Sequence, residues 1–283
     1  CDRALGITSA EEKYILPSGN NFSLYLIELF PHQVWKMEMT DGIRQALQEG
    51  SDSLRAYYEK AGILVARPAK GSSAKGGNNA ENHNHNDIGS YAVALGKCTM
   101  VGDQGGPFSY PGDYFSAEAP EKYKIKGSFG HPVPVVDGKT QSSGAKASAI
   151  VLKKEFTDVK DLLSIDYTSA YSTPSLDKLV RTFVYDRQGK GSFTVGDEFT
   201  ANAPIRFETA ITTQANWKII DDTHLLLTTG TEQMTVTIEA SGKVAFTSET
   251  IEVNSPAYTR IGISLKEQSK DGYIRLTMRT KQL

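Results

Sequence analysis

The side chains best suited to chemistry lie in residues 78–87, Asn-Asn-Ala-Glu-Asn-His-Asn-His-Asn-Asp. This run contains His83 and His85, two of the five histidines in the chain, close to the carboxylate of Asp87. If the chain is extended here, side chains alternate, so these three residues share one face of a strand. Two imidazoles and a carboxylate on one face form half of a metal site or half of a proton-transfer site.

Two further residues are candidates for the other half of such a site. Asp103 lies at the end of the β-prone run 99–101 and precedes Gly105 and Gly106, which would let the backbone approach a ligand closely. His131 lies further along the chain, between Gly130 and a proline. Two histidines and one aspartate are an ordinary zinc ligand set. Isolated histidines in β proteins are more often simple surface or core residues, so that alternative stays open.

Several tyrosines and lysines lie between Asp103 and His131. Aromatic and cationic groups together suit a sugar-binding surface that also meets carboxylates or sulfates. The ordinary alternative is that the tyrosines pack on a sheet and the lysines solvate loops. The residues concerned are Tyr110, Tyr114, Lys122, Tyr123, Lys124 and Lys126.

The bulk composition is that of a soluble globular chain of 283 residues, with 39% apolar and 23% charged residues. A net charge of −2 provides no global field for nucleic acid, so a polyanion would have to be held by a local basic cluster. No apolar run approaches the roughly 20 residues of a membrane-spanning helix, and no secretory signal is present. Because the chain begins with Cys1, we expect a fragment of a longer protein or, alternatively, a mature lipoprotein.

The apolar pattern predicts a mainly β fold with a few short helices at the N-terminal end. Residues 1–60 are predicted to be a short helical lead-in, with loosely helical spacing from Asp41 to Lys60. Residues 61–283 are predicted to form a large antiparallel β-sandwich, because β-prone runs recur between turn signals about every 8 to 12 residues.

Three connecting segments are predicted from clusters of glycine and polar residues. Residues 70–80 read as a flexible link because they are rich in glycine and serine. Residues 186–191 and 240–243 read as hairpin loops between consecutive strands.

The ordered set of motifs resembles the C-terminal region of heparinase II/III-like polysaccharide lyases, over most of residues 55 to 250. The set is far more specific than any one of its members. The matching stretches are residues 78–91, Asp103-Gln104-Gly105 and residues 130–141, with Arg67-Pro68 before them and Arg181-Thr182-Phe183 after them.

The resemblance implies a β supersandwich joined to an N-terminal helical toroid, with cleavage of uronic-acid-containing polysaccharides by β-elimination in the cleft between them. It implies a structural zinc ion and a periplasmic or cell-surface location. Carried over by position, the zinc ligands are His85, Asp103 and His131.

The resemblance also implies roles for residues that meet the substrate. His83 matches a histidine that faces the glycan. Independently of the resemblance, Asp87 is on the same face of the predicted strand and would orient one of the imidazoles as a hydrogen-bond partner. A tyrosine lines the cleft; Tyr123 is preferred over Tyr114, although Lys122 stands where relatives often carry arginine. The expected substrate-binding residues are Asn82, Lys122 and Lys124.

The chain departs from the family in length. A helical toroid needs several hundred residues and only about 60 precede the β region, so we expect these 283 residues to lack room for the toroid and its catalytic tyrosine. We therefore expect the C-terminal part of a lyase that does not turn over polysaccharide alone. The alternatives are a non-catalytic carbohydrate-binding or scaffold sandwich that keeps the metal for stability, and a structural β domain without a ligand.

Overall fold

A computed structural model of the protein describes residues 54–59, 62–67, 72–79, 85–96, 98–102, 109–116, 118–252 and 257–281. The helices predicted before residue 54 lie outside these residues. In the described part of the chain, no helix is long and apolar enough to cross a membrane.

The described residues are mostly strands, with one short α-helix and two 3-10 helices. The helices are α1 (Ala119–Lys122) and the 3-10 helices Ser128–Gly130 and Thr168–Ala170. The strands are β1 (Arg55–Tyr58), β2 (Ile63–Ala66), β3 (Ser72–Lys75), β4 (Asn78–Asn79), β5 (Tyr91–Leu95), β6 (Cys98–Val101), β7 (Val135–Val136), β8 (Gly144–Ser148), β9 (Ile150–Phe156), β10 (Lys160–Asp166), β11 (Leu176–Asp186), β12 (Ser192–Ile205), β13 (Phe207–Thr213), β14 (Asn216–Asp221), β15 (His224–Thr229), β16 (Glu232–Ala240), β17 (Val244–Ile251), β18 (Tyr258–Leu265) and β19 (Ser269–Thr280).

The strands form antiparallel sheets that pack into a sandwich, which confirms the predicted fold class. The largest sheet has the order β14-β15-β16-β19-β12-β11-β10-β9. A four-stranded sheet has the order β17-β18-β13-β7, and a five-stranded sheet the order β1-β2-β3-β5-β6. Strands β4 and β8 pair separately.

A single apolar core joins the three larger sheets. Phe183 and Phe199 come from the eight-stranded sheet, Ile211 and Ile263 from the four-stranded sheet, and Met100 from the five-stranded sheet, all with at most 1% of their surface exposed. Burying each such side chain stabilises the fold by about 1.5–3 kcal/mol. The loops that carry the candidate site therefore extend from a rigid frame.

The prediction of a flexible link at residues 70–80 is wrong. Strand β3 lies there and pairs with both β2 and β5, with Ser73 opposite Ala92. The small residues of β3 include no β-branched residue that would predict a strand. The strand forms because β2 and β5 pair with it on both sides.

Two other local predictions also fail. Arg55–Tyr58 is a strand paired with β2, where helical spacing was predicted up to Lys60. Residues 240–243 are not a hairpin, because β16 and β17 belong to different sheets and the loop crosses between them. The predicted hairpin at residues 186–191 is confirmed, since it joins the paired strands β11 and β12. The domain division at residue 60 stays a prediction.

Candidate metal and carbohydrate site

His85 and His131 lie side by side although they are far apart in the sequence. Their ring centroids are 5.2 Å apart and the ring planes are tilted by 54°. His131 is completely buried. Two imidazoles at this separation can face one small cation or one polar ligand.

The ring of His131 is fixed by a backbone hydrogen bond. Its Nε2 lies 3.0 Å from the carbonyl oxygen of Ile125, which can only accept, so Nε2 carries a proton. In the neutral ring the lone pair is then on Nδ1. Metal-binding histidines almost always donate their second nitrogen to such an oxygen. His131 therefore has the tautomer of a metal ligand.

His85 contacts the hydroxyl of a buried tyrosine. Its Nε2 lies 3.2 Å from the hydroxyl oxygen of Tyr114, a residue with only 1% of its surface exposed. Tyr114 packs in a small apolar cluster with Ile125, Ile251 and Tyr258, separate from the main core. This cluster anchors residues 109–116 and 118–130, which we call the tyrosine segment, against the four-stranded sheet.

Two glycines let the tyrosine segment fold tightly before His131. A Cβ atom on Gly127 would lie 2.1 Å from the carbonyl oxygen of Pro120, and one on Gly130 would lie 2.3 Å from that of Lys124. Neither space can hold a methyl group, so only glycine permits these turns. They bring the carbonyl of Ile125 within reach of His131.

Two asparagines on either side of His85, Asn79 and Asn86, are used for structure. The Gln141 side chain accepts from the Ile88 nitrogen at 3.0 Å and donates to the Ile88 carbonyl oxygen at 2.7 Å. Asn79 donates to Gln141, and Asn86 donates to Ser143 Oγ at 3.0 Å. Sequence reasoning assigned no role to Gln141. Its side-chain amide bonds to both backbone groups of Ile88, as a neighbouring strand would, and so fixes the backbone just after His85.

Asp87 does not take its expected role at His85. Its carboxylate accepts a hydrogen bond from Lys75 Nζ at 2.5 Å. A partnership with His83, which lies outside the described residues, stays a prediction. Residues 85–87 are not a strand, so regular alternation does not place Asp87 on the face of His85.

Tyr123 and Lys122 both bind the exposed carboxylate of Asp113. The Tyr123 hydroxyl donates to Asp113 Oδ1 at 2.5 Å, and Lys122 forms an ion pair with the other oxygen. The hydrogen bonds from Lys122 and Tyr123 lower the pKa of Asp113, and the hydrogen bond to Asp113 raises the pKa of Lys122. Lys124 is similarly exposed and paired with Glu249.

Lys126 is the buried lysine of the tyrosine segment. Its ammonium group donates to the carbonyl oxygen of Tyr114 and lies 5.0 Å from the ring centres of Tyr114 and Phe115. Burial lowers the pKa of Lys126. Sequence reasoning noted this lysine but did not separate it from its exposed neighbours.

Three of the predicted site residues, Asn82, His83 and Asp103, lie outside the described residues. Among the residues that the structure describes, no group of three or more histidine, cysteine or acidic side chains is arranged for a metal. Gly102, next to Asp103, is anchored by paired hydrogen bonds to Thr212. The two described candidates, His85 and His131, fit a zinc ion by donor type and, for His131, by tautomer.

The fold and this site define an antiparallel β-sandwich with a paired-histidine centre under an aromatic, lysine-rich segment. Heparan sulfate lyase HepC from Pedobacter heparinus aligns with 86% of this chain and 40% of its own, at a TM-score of 0.69 and 15% identity. A heparinase III structure aligns with 81% of this chain and 37% of its own, at a TM-score of 0.64 and 17% identity.

The chain therefore has a heparinase-like β-sandwich fold and spans about two fifths of the length of those structures. Another heparinase III structure gives a TM-score of 0.66 over 84% of this chain, at 14% identity. No protein-family model and no curated protein sequence matches. At these identities the shared feature is the fold.

Proposed function

We propose that this chain is the zinc-containing β-sandwich part of a polysaccharide lyase that cleaves uronic-acid-containing glycans by β-elimination. The observation that carries the proposal is the adjacent pair His85 and His131, with His131 Nε2 held by a carbonyl, on a heparinase-like sandwich. With Asp103 these residues would hold zinc. The ion, when bound, would join the loops that carry the histidines.

β-Elimination removes a weakly acidic proton α to the uronate carboxylate. A site must neutralise that carboxylate and supply a base and an acid. In the proposal His83 faces the substrate and Tyr123 lines the cleft, since Tyr114 is buried against His85. A tyrosine, with an ordinary pKa of about 10, becomes a usable base only when cations lower that pKa.

The substrate-binding residues in the proposal are Asn82, Lys122 and Lys124. Both lysines are exposed, and each forms its ion pair with an exposed carboxylate, so a glycan carboxylate or sulfate can exchange with that carboxylate at little net cost. The lyase would act on an anionic polysaccharide in the periplasm or at the cell surface. A helical toroid domain would supply the remaining catalytic groups, so turnover is expected only with that partner.

The experiment measures zinc content and turnover in parallel. Purified chain should contain one zinc ion, and His83→Ala should abolish formation of unsaturated product in the toroid-complemented protein while zinc content is unchanged. His85→Ala is the matched change and should remove zinc. Loss of zinc together with turnover in His83→Ala would contradict the separation of roles.

A non-catalytic carbohydrate-binding or scaffold sandwich is the second candidate. It is favoured by the hydrogen bond from the Tyr123 hydroxyl to the Asp113 carboxylate, which holds this tyrosine as a donor and not as a base. This candidate predicts zinc and glycan binding without unsaturated product, even when the toroid is supplied.

A further inference from the structure

A single buried arginine joins the two segments that carry the histidines. Nη1 of Arg181 donates to the carbonyl oxygen of Gly89 at 2.7 Å and to that of Pro132 at 2.8 Å. Gly89 lies four residues after His85, and Pro132 directly follows His131. One nitrogen atom therefore bridges two loops that approach the candidate site from different parts of the chain.

The guanidinium group is fixed on its other edge as well. Nε and Nη2 of Arg181 donate to the two carboxylate oxygens of Asp197 at 2.7 and 2.6 Å. Nη2 also donates to Thr209 Oγ1 at 3.1 Å. The hydroxyls of Tyr167 and Thr209 in turn donate to Asp197, each at 2.7 Å. We call Arg181, Asp197, Tyr167 and Thr209 the arginine network.

Arg181 thus uses all five of its N–H donors, and it is completely buried. A lysine offers three donors from a single atom and cannot reach both the carboxylate and the two loop carbonyls in this planar arrangement. Such a group restricts the movement of both loops together. The left-handed backbone of Gly89, with φ of +84°, presents its carbonyl to the arginine.

We propose that Arg181 is a positioning residue that sets the spacing of His85 and His131 without contacting either imidazole. The inference rests on the proposed function where it concerns zinc. The part of the inference that does not depend on a metal is that one guanidinium group holds the two histidine-bearing loops in fixed positions relative to each other. Changing Arg181 should weaken metal binding through geometry, as changes around metal ligands commonly do by 10- to 100-fold.

Arg181→Lys tests the proposal, with Asp161→Asn as the matched control. Asp161 is a completely buried carboxylate with two arginine partners, Arg55 and Arg187, which lie in neither histidine segment. Zinc affinity is measured by chelator competition at a temperature at which circular dichroism shows each variant folded. Arg181→Lys should bind zinc about tenfold or more weakly, and Asp161→Asn within twofold of wild type.

A second variant guards against loss of folding. Replacing the pair together, Arg181→Met with Asp197→Leu, removes the charges in a way that buried ion pairs often tolerate. The folded double variant should show the same loss of zinc affinity. Wild-type affinity in either folded variant would overturn the proposal.

Hydrogen exchange of the metal-free protein separates this inference from the zinc proposal. In Arg181→Lys the amides of residues 85–90 and 131–136 should exchange faster, and in Asp161→Asn they should not. If wild type binds no zinc yet this exchange pattern is found, the zinc proposal fails and the positioning role stands. If wild type binds zinc and the exchange is unchanged, the positioning role fails.

Discussion

Two polar regions meet at His131 and differ in how far their charged side chains are exposed to solvent. In the arginine network, Arg181 and Asp197 are at most 1% exposed, and every N–H of the guanidinium group has a partner. In the tyrosine segment, the paired side chains of Lys122 and Asp113 are 57% and 47% exposed. The first region has one arrangement, while the second can exchange its partners with solvent or a ligand.

The difference assigns separate tasks to the two regions. A buried ion pair with all its hydrogen bonds made contributes little net stability. Removing one partner is strongly destabilising, because the other charge then stays buried without compensation. An exposed pair contributes almost nothing to stability and is free to rearrange. Structure at the histidines should therefore depend on the arginine network, and ligand binding on the tyrosine segment.

The largest expected effect comes from breaking the buried pair. Asp197→Ala leaves the Arg181 charge buried without its carboxylate, and we expect the free energy of unfolding to fall by about 3–5 kcal/mol. Urea denaturation followed by circular dichroism measures this. Asp113→Ala removes the exposed carboxylate and should leave the urea midpoint unchanged. Equal losses in the two variants would remove the distinction between the regions.

A smaller effect is expected from disturbing the turn before His131. A methyl group at Gly127 meets the backbone oxygen of Pro120, so the segment must shift, and Gly127→Ala should destabilise the protein by about 1–3 kcal/mol. Gly112→Ala is the matched control, because a Cβ atom there meets nothing within 4 Å. A Gly127→Ala protein as stable as the Gly112→Ala protein would show that the turn tolerates rearrangement.

The strands were most predictable where alternation and turn residues agreed. The β-prone runs that recur between turn signals correspond to strands such as Tyr91–Leu95 and His224–Thr229. Strand β3 was not predicted, because its pairing with β2 and β5 depends on neighbours that composition cannot reveal. The crossing between β16 and β17 was missed for a similar reason: a short polar loop looks the same whether the next strand pairs or changes sheet.

The arginine network was readable in part from the sequence. Arg181 is in phase with the buried Leu179 and Phe183, and Asp197 is in phase with the buried Phe199, so each charge stands where an apolar residue is expected. The confirmed hairpin then sets Arg181 opposite Asp197. The carbonyl partners at Gly89 and Pro132 could not be predicted, because they depend on how distant loops pack.

The smallest expected effect compares two lysines of the tyrosine segment through pH. Burial lowers the pKa of Lys126, so the folded state disfavours its charged form. Between its folded pKa and the unfolded value of about 10.4, the unfolded chain binds more protons, and stability from this group rises with pH. The free energy of unfolding of wild type relative to Lys126→Met should therefore increase as pH rises toward that value, measured by urea denaturation at a series of pH values.

Lys122 provides a control of opposite sign. Its hydrogen bond to Asp113 raises its pKa, so its contribution is fully present below the unfolded pKa and is lost as pH rises through the folded pKa. The free energy of unfolding of wild type relative to Lys122→Met should decrease over that interval, and only slightly because the pair is exposed. Parallel slopes in the two variants would mean that Lys126 is as well hydrated as Lys122. The lysines of the tyrosine segment would then all be exchangeable, and the division between buried and exchangeable polar groups would not run through this segment.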